Sequence, residues 1–268
     1  MVRRDLAGTT VLITGGGGGL GAALATESAR RGARVAVADI DLARVERIAA
    51  GLEESAVALQ CDVTDLDACH RMVAEVSDAL GGPDVLINNA GITHRSAFVD
   101  TDVDVLRRVM DVNFFGAVSC TKAALPALRE RHGAIAVVSS VAGFAPLLGR
   151  TGYAASKHAL HGLFETLRTE LRSDGVDVTI AAPTFIDTGF RDRTLDGDGS
   201  ITDHPQSRVG RSLPADEVAA TILDAIERRK PLVVIGAIGK LTRVMTRLAP
   251  GAYERLMARS LRSELERS

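Results

Sequence analysis

The stretch "TVLITGGGGGLG", residues 10–21, joins a short apolar run to five consecutive glycines. The apolar run predicts a buried strand, and the text that follows, to about residue 31, predicts an amphipathic helix. Glycine lets the backbone turn tightly between two such elements and lets a ligand approach the chain closely. The stretch therefore predicts a strand, a tight turn and a helix in direct succession.

The same alternation continues to residue 235. The apolar runs that predict strands lie at 9–15, 34–39, 56–62, 84–91, 133–140, 176–183 and 232–235, with helical segments between them. Parallel strands need helical crossovers, and strands that are apolar on both faces are buried on both faces. The sequence therefore predicts an α/β, Rossmann-like fold with a doubly wound parallel seven-stranded sheet and helices on both faces.

No linker interrupts this series, so we expect a single domain over residues 1–240, with a polar substrate loop at about 187–213. Residues 241–268 read as a C-terminal helical tail, because apolar residues recur there at helical spacing. Basic residues outnumber acidic ones by seven to three from residue 240 onward. Such a tail can make peripheral contact with a membrane surface or cap an apolar substrate, but we favour packing against its own domain or a sister subunit.

The composition excludes several classes of partner. The formal net charge is -2 and aromatic residues make up 3% of the chain, so we expect no nucleic acid as a partner. No run reaches the ~18 apolar residues of a spanning helix, so we expect no membrane span. The cysteines lack metal-ligand spacing. They predict free thiols, no metal site and a cytoplasmic protein.

The glycine loop lies where a helix begins, and the positive end of a helix attracts a pyrophosphate. Gly15, Gly19 and Gly21 have the spacing of a dinucleotide-binding loop, although five glycines in a row could also form a flexible segment. Asp39 closes the second strand, where its carboxylate would bind the adenosine ribose and repel a 2'-phosphate. We therefore expect NAD rather than NADP. The alternative role for Asp39, a helix N-cap, could equally fall to Asp41.

Tyr153 and Lys157 are four positions apart on a predicted helix, so they project from nearly the same face, about 6 Å apart along the axis. An adjacent ammonium favours a phenolate and lowers the pKa of the phenol. Such a tyrosine can exchange a proton with an alcohol. The alternative is a tyrosine that packs at a helix start beside a solvated lysine.

Two polar residues strengthen the catalytic interpretation. Ser140 ends the fifth predicted strand, at the carboxyl edge where open α/β sheets bind ligands, and could donate to a carbonyl oxygen. Asn113 lies within a predicted helix, where asparagine is a mediocre helix former. Pointing inward, it could hold a water beside Lys157. The alternatives for Asn113 are a helix irregularity or a satisfied core amide.

Together these residues resemble the classical short-chain dehydrogenase/reductase family. The matching pieces, over about residues 6–240, are the Thr14–Gly21 loop, Asp62, "NNAG" at 88–91, Asn113, Ser140, Tyr153 and Lys157, with the serine thirteen positions before the tyrosine. Thr184 departs from the pattern, because the family usually has glycine after the proline at this point. The resemblance implies the strand order 3-2-1-4-5-6-7 and a homotetramer, or else a homodimer.

The resemblance also implies a role for each matching residue. Tyr153 would be the catalytic acid/base, Lys157 would bind the nicotinamide ribose and lower the pKa of the tyrosine, Ser140 would orient the substrate oxygen, and Asn113 would support a proton-relay water. Asp62 would contact adenine, Asn89 would border the cofactor, and Thr188 would hold the carboxamide. The full set of expected NAD-binding residues is Thr14, Gly15, Gly19, Leu20, Gly21, Asp39, Asp62, Val63, Asn89, Ala90, Gly91, Tyr153, Lys157, Pro183, Ile186 and Thr188.

The sequence thus predicts an enzyme that moves a hydride reversibly between NAD(H) and a secondary alcohol or ketone. The apolar text "VAGFAPLLG", residues 141–149, and Phe190 favour a hydrophobic small-molecule substrate. Two alternatives stay open. An epimerase or dehydratase usually needs a longer carboxyl-terminal sugar-binding region, and a non-catalytic dinucleotide sensor needs none of Ser140, Tyr153 and Lys157.

Overall fold

The computed structural model describes residues 3–52, 56–187, 194–202 and 212–260. Eleven strands lie in this part of the chain: β1 (Thr10–Thr14), β2 (Arg34–Asp39), β3 (Ala56–Gln60), β4 (Val85–Asn88), β5 (Thr93–His94), β6 (Ala134–Val138), β7 (Asp177–Pro183), β8 (Ile186–Asp187), β9 (Thr194–Leu195), β10 (Leu213–Pro214) and β11 (Leu232–Ile235). Seven of them form one parallel sheet in the order β3-β2-β1-β4-β6-β7-β11. Numbered among themselves, these seven have the order 3-2-1-4-5-6-7, so the predicted fold class is confirmed.

Nine helices surround the strands within the described residues: α1 (Gly19–Arg30), α2 (Leu42–Ala50), α3 (Leu66–Leu80), α4 (Val103–Met110), α5 (Gly116–Glu130), α6 (Thr151–Glu170), α7 (Ala215–Glu227), α8 (Ala237–Leu248) and α9 (Pro250–Ser260). Successive side chains of a strand point to opposite faces of the sheet. On β1, Leu12 packs in a core that includes side chains of α3, α5 and α6. Val11 and Ile13 pack in a second core with side chains of α1, α2 and α7. Both faces of the sheet are therefore covered.

The segment between β4 and β6 differs from the predicted run of helix. It contains β5, a 3-10 turn at Phe98–Asp100, α4, and one π-helical turn at Asp111–Phe115 before α5 begins. Asn113 lies inside the π turn, and its side chain bonds the backbone of Ile92. A π turn usually marks a local strain or a functional position in a helix. The helix irregularity that we considered for Asn113 is therefore present.

The tail continues as α8 and α9, and residues 261–268 lie outside the described part. On α8, an apolar stripe made of Ile238, Leu241, Val244 and Leu248 is exposed to solvent. Within the described part of the tail, the buried residues are Gly239 and Thr242 of α8 and Tyr253 of α9, so its packing against the domain is incomplete. Among the described helices, none is both long and apolar enough to cross a bilayer.

The three cysteines are buried free thiols, and Cys69 Sγ lies 3.6 Å from Cys120 Sγ. Within the described residues, no group of three potential ligands is arranged to hold a metal ion.

Candidate active site

The glycine loop follows β1 at the carboxyl edge of the sheet and leads into α1. Gly15 has a φ of 65°, in the left-handed region that favours glycine. A Cβ on Gly15 would lie 2.9 Å from the backbone nitrogen of Ala90, and one on Gly21 would overlap the carbonyl oxygen of Gly15. These two glycines are therefore required by the close approach of three backbone segments.

The loop is fastened to the segment after β4 by two predicted cofactor residues. The Thr14 hydroxyl accepts hydrogen bonds from the backbone N–H groups of Asn89, at 3.1 Å, and Ala90, at 3.2 Å. In return, Asn89 Nδ2 donates to the carbonyl oxygens of Thr14 and Gly15, both at 3.0 Å. Thr14 and Asn89 thus hold the loop in shape.

Asp39 ends β2 beside the loop, and it is almost completely buried. Its Oδ2 accepts from the backbone N–H of Gly17 at 3.0 Å, and Oδ1 accepts from that of Asp41 at 3.3 Å. The N-cap of α2 is Asp41, which accepts from the Arg44 N–H. The capping role that we considered for Asp39 therefore belongs to Asp41.

Sequence reasoning missed Arg44, because it looked for a basic residue only directly after Asp39. A Cβ on Gly17 would lie 2.9 Å from Arg44 Cβ, so the arginine stem borders the loop. Its Nε lies 3.1 Å from Asp41 Oδ2. The sequence could have revealed Arg44, because it is a basic residue in the first turn of the helix that follows β2.

The loop fits a dinucleotide. Among the described side chains, none caps the N-terminus of α1, and no acidic residue occupies its first turn, so its backbone donors face the loop. The other predicted cofactor residues lie near the ends of the sheet strands or in α1: Gly19 and Leu20 begin α1, Asp62 and Val63 follow β3, Ala90 and Gly91 follow β4, Pro183 ends β7, and Ile186 begins β8. Thr188 and Phe190 lie outside the described residues.

Tyr153 and Lys157 project from α6 toward the carboxyl end of β6. Lys157 is buried, and its Nζ donates to the carbonyl oxygen of Val138 at 2.8 Å and lies 5.6 Å from the centroid of the Tyr153 ring. Ser140 is half-buried two residues after β6, and its hydroxyl accepts from the N–H of Ala142 at 3.1 Å. The structure therefore brings these three side chains together.

Burial shifts the pKa values of both Tyr153 and Lys157. Burial raises the pKa of Tyr153, while a hydrogen bond with Ser140 and the nearby charge of Arg150 act to lower it. Burial also lowers the pKa of Lys157 to about 8. In the protein alone, the Lys157 Nζ proton is directed at the Val138 carbonyl. The expected lowering of the tyrosine pKa by Lys157 together with a bound nicotinamide ring stays a prediction.

Asn113 is buried and its amide is almost fully bonded. Its Oδ1 accepts from the backbone N–H of Ile92 at 2.8 Å, and Nδ2 donates to the Ile92 carbonyl and to the Ser156 hydroxyl, both at 2.9 Å. A hypothetical Cβ on Gly91 would lie 3.1 Å from Asn113 Oδ1 and 3.8 Å from Lys157 Nζ. The satisfied amide that we considered is present, and a water held near Lys157 stays a prediction.

Three further polar residues near Tyr153 were missed by sequence reasoning. His94 on β5, Arg150 at the N-terminus of α6 and Ser156 within α6 are all buried. Sequence patterns detect buried positions by the period of apolar residues, so isolated polar residues that are buried leave no signal. His94 comes close to the tyrosine only because the fold brings β5 against α6.

Thr184, the departure from the family pattern, lies against two glycines that precede or begin α8. A Cβ on Gly236 would be 2.7 Å from Thr184 Oγ1, and one on Gly239 would be 2.9 Å from Thr184 Cγ2. Gly236 has a φ of 97°, which glycine tolerates. The larger residue at 184 is thus accommodated by small residues across from it.

A doubly wound sheet that carries a dinucleotide-type loop and a serine, tyrosine and lysine at one edge defines an oxidoreductase. Residues 9–198 match the family described as short chain dehydrogenase, and the chain belongs to this family. This membership favours neither the epimerase or dehydratase nor the sensor.

Individual relatives agree with this assignment. "Dehydrogenase/reductase SDR family member 7B" of Xenopus tropicalis is 38% identical over 205 residues, which cover 76% of this chain and 66% of that protein. The Bos taurus protein of the same name is 34% identical, over 98% of this chain and 84% of its own length.

Solved structures show the same fold. A short chain dehydrogenase/reductase from Burkholderia phymatum in complex with NAD superimposes with a TM-score of 0.82 at 23% identity, over 93% of this chain and 96% of its own. A short-chain dehydrogenase from Streptomyces avermitilis gives a TM-score of 0.81 at 26% identity, over 95% and 98% of the two chains.

Proposed function

We propose that this protein interconverts a secondary alcohol and its ketone with NAD(H), and that Tyr153 is the general acid/base. The observation that carries the proposal is the meeting of Ser140, Tyr153 and Lys157 at the sheet edge that also holds the glycine loop. Asn113 completes the proposed catalytic set.

Each side chain has a task that its surroundings favour. The nicotinamide ring, when bound, supplies or accepts the hydride at the carbinol carbon. Tyr153 donates a proton to the carbonyl oxygen in reduction and takes it from the hydroxyl in oxidation. Ser140 donates a hydrogen bond to the same oxygen and orients it. Lys157 holds the ribose hydroxyls and keeps a positive charge near the phenol.

The pKa directions favour reduction at neutral pH. Because burial raises the pKa of Tyr153, the phenol is protonated and ready to donate. In oxidation the phenol must first lose its proton, and the positive charge of Arg150 favours that loss. The rate of alcohol oxidation should therefore rise with pH, whereas the rate of ketone reduction should not.

NAD is our proposed cofactor, rather than NADP, because Asp39 places a buried carboxylate at the end of β2 beside the loop. A 2'-phosphate there would meet like charge. The proposed NAD-binding residues are those named from the sequence, including Thr188. The apolar residues of the turn after β6 support a hydrophobic substrate; Val141 and Phe144 are half-buried there, and Ala142 and Ala145 are buried.

We also propose that the protein is cytoplasmic and a homotetramer or homodimer, and that residues 1–240 form the catalytic domain with the substrate loop at about 187–213. The exposed apolar stripe on α8 supports self-association. Peripheral contact of the tail with a membrane is the alternative use of the same stripe.

The decisive test is Tyr153→Phe, which removes the phenolic proton and keeps the ring. We expect kcat for a panel of apolar ketones to fall by about 10³-fold while NADH affinity changes by less than about threefold. The chain has only one other tyrosine, Tyr253 on α9, so Tyr253→Phe is a matched control that should retain activity. Retained turnover in Tyr153→Phe would refute the assignment.

A further inference from the structure

The helix that carries Tyr153 and Lys157 begins without a side-chain cap of its own. Arg150 occupies the N-cap position of α6, and its side chain makes no capping hydrogen bond. The first turn of α6 contains no acidic residue either. The first backbone N–H groups of a helix have no partner within the helix and must find one elsewhere.

His94 supplies that partner from a distant part of the chain. Its Nε2 accepts a hydrogen bond from the Gly152 N–H at 2.9 Å, and the imidazole is fully buried. The bond fixes the Thr151–Gly152 peptide, which lies one residue before Tyr153. A backbone amide is normally capped by an oxygen of a nearby Ser, Thr, Asp or Asn, whereas here a ring nitrogen from β5 does so.

A chain of hydroxyl groups sets the tautomer of this imidazole. Thr101 Oγ1 donates to the Ala97 carbonyl at 2.6 Å, so it accepts from Ser96 Oγ, 2.7 Å away. Ser96 Oγ in turn accepts from His94 Nδ1 at 3.2 Å. With the proton on Nδ1, the lone pair of Nε2 is free to accept from Gly152.

Gly152 is small enough to allow this contact. A Cβ at this position would lie 3.2 Å from His94 Nε2 and 2.8 Å from Leu106 Cδ2. The backbone carbonyl on the other side of the tyrosine is held as well, because Tyr153 O accepts from Ser156 Oγ at 2.8 Å and Ser156 Oγ accepts from Asn113 Nδ2.

We propose that His94 is a positioning residue, whose neutral imidazole caps α6 and, with the Asn113–Ser156 pair, fixes the backbone of Tyr153 on both sides. Both supports start from the same segment, since Asn113 is bonded to Ile92 and His94 lies two residues further along. The segment follows the residues that fasten the glycine loop. His94 therefore ties the proton donor to the cofactor side of the site.

The surroundings of His94 keep it neutral. Burial, and then the positive charge of Arg150, lower its pKa to about 4. Arg150 is the charged group that acts on the imidazole from α6. A neutral ring is what the capping bond requires, because a protonated Nε2 would have no lone pair to offer.

The inference rests on the proposed role of Tyr153, and a matched pair of variants tests it. His94→Gln places an amide oxygen near the position of Nε2, whereas His94→Met has similar length and no comparable acceptor. We expect His94→Met to lower kcat by about 10- to 100-fold with little change in the KM for NADH, because a small misplacement of a reacting group has that effect. His94→Gln should restore kcat to within about threefold of the parent.

A second measurement does not depend on turnover. Hydrogen exchange of the Gly152 amide should quicken in His94→Met and stay slow in His94→Gln. Ser96→Ala leaves the imidazole in place but removes the partner that sets its tautomer, so it should quicken exchange and lower kcat in the same direction. This variant decides the question if His94→Met does not fold.

The two proposals fail in different ways. If Tyr153→Phe abolishes turnover but His94→Met, or Ser96→Ala in its place, leaves kcat and Gly152 exchange unchanged, the positioning role is overturned and the proposed function stands. If Tyr153→Phe retains turnover, the proposed function itself is overturned. Equal loss of kcat in His94→Gln and His94→Met would also overturn the capping role, since only the acceptor separates them.

Discussion

Lys157 shows how a buried side chain can serve the site at a cost to stability. Its ammonium is buried and bonded to the Val138 carbonyl, and burial lowers its pKa to about 8 from an ordinary value of 10.5. A group with a lowered pKa in the folded protein binds its proton more tightly when the chain unfolds. The lysine therefore destabilises the folded protein most at pH values below about 8, where it is charged in both states.

This gives the first prediction at the residue scale. Between pH about 8 and about 10.5 the unfolded chain holds the Lys157 proton and the folded chain does not, so the lysine's unfavourable contribution fades as pH rises. Lys157→Met removes the unfavourable burial of the ammonium but also loses its hydrogen bond to Val138. Near pH 7, the net effect should be a rise of about 2 kcal/mol in the free energy of unfolding.

Urea unfolding of parent and variant at several pH values measures the difference, which should shrink toward high pH. The variant should also lose turnover. A difference that stays constant across this range would show that Lys157 is charged in the folded protein throughout.

Asp39 carries the second prediction, on cofactor choice. Asp39→Ser removes the negative charge and keeps a polar group that can bond the Gly17 N–H. We expect the ratio of kcat/KM for NADH over that for NADPH to fall by about 10- to 100-fold, because like-charge repulsion of the 2'-phosphate is lost. Arg44, beside the loop, should then assist the phosphate, and Asp39→Ser with Arg44→Ala should recover less NADPH activity. An unchanged ratio in Asp39→Ser would remove the basis for proposing NAD.

At the scale of elements, the repeating parts of the fold could be predicted from the sequence and the irregular parts could not. The apolar periodicity of the strands and of α6 depends only on residues close together in the chain. It therefore predicts where these elements lie in the sequence and that Tyr153 and Lys157 share one face of α6. The capping of α6 by His94 joins residues 58 positions apart in the chain. Such a bond depends on tertiary structure and leaves no local pattern. The π turn at Asn113 depends in the same way on the backbone of Ile92.

The glycine loop provides the prediction at this scale. Gly21→Ala would push a methyl group into the Gly15 carbonyl and to within 2.8 Å of Asn89 Nδ2. Because backbone atoms cannot move cheaply, we expect a loss of about 2 kcal/mol in the free energy of unfolding and weaker NADH binding. Gly18→Ala is the stability control, since a Cβ there meets nothing within 4 Å and its φ of 166° is extended. Equal stability of the two variants in urea unfolding would show that the loop adapts to a side chain.

At the scale of the whole molecule, a group of ion pairs connects the C-terminal end of α1 to α7. Arg31, directly after α1, bonds Asp224 at 3.0 Å and Glu227 at 2.8 Å, and both acids lie on α7. Arg3 also pairs with Glu227. Glu227 is buried between the two arginines, so this group joins Arg3, the end of α1 and α7 on one face of the sheet. Helix α8, which follows the edge strand β11, has no comparable connection among the described residues and presents apolar side chains.

The last prediction concerns what covers that stripe. Leu241 and Leu248 are 60% and 80% exposed on α8, and contiguous exposed apolar surface commonly marks a subunit contact. We expect sedimentation to give two or four times the mass of one chain for the parent protein. Leu241→Glu with Leu248→Glu should weaken association by at least about 30-fold, because charge would be buried at the contact. Arg247→Glu, on the same helix beside the stripe, controls for added charge. If the double variant keeps the parent mass, the stripe is not in the subunit contact, and loss of binding to anionic vesicles in both variants would then assign it to a membrane surface.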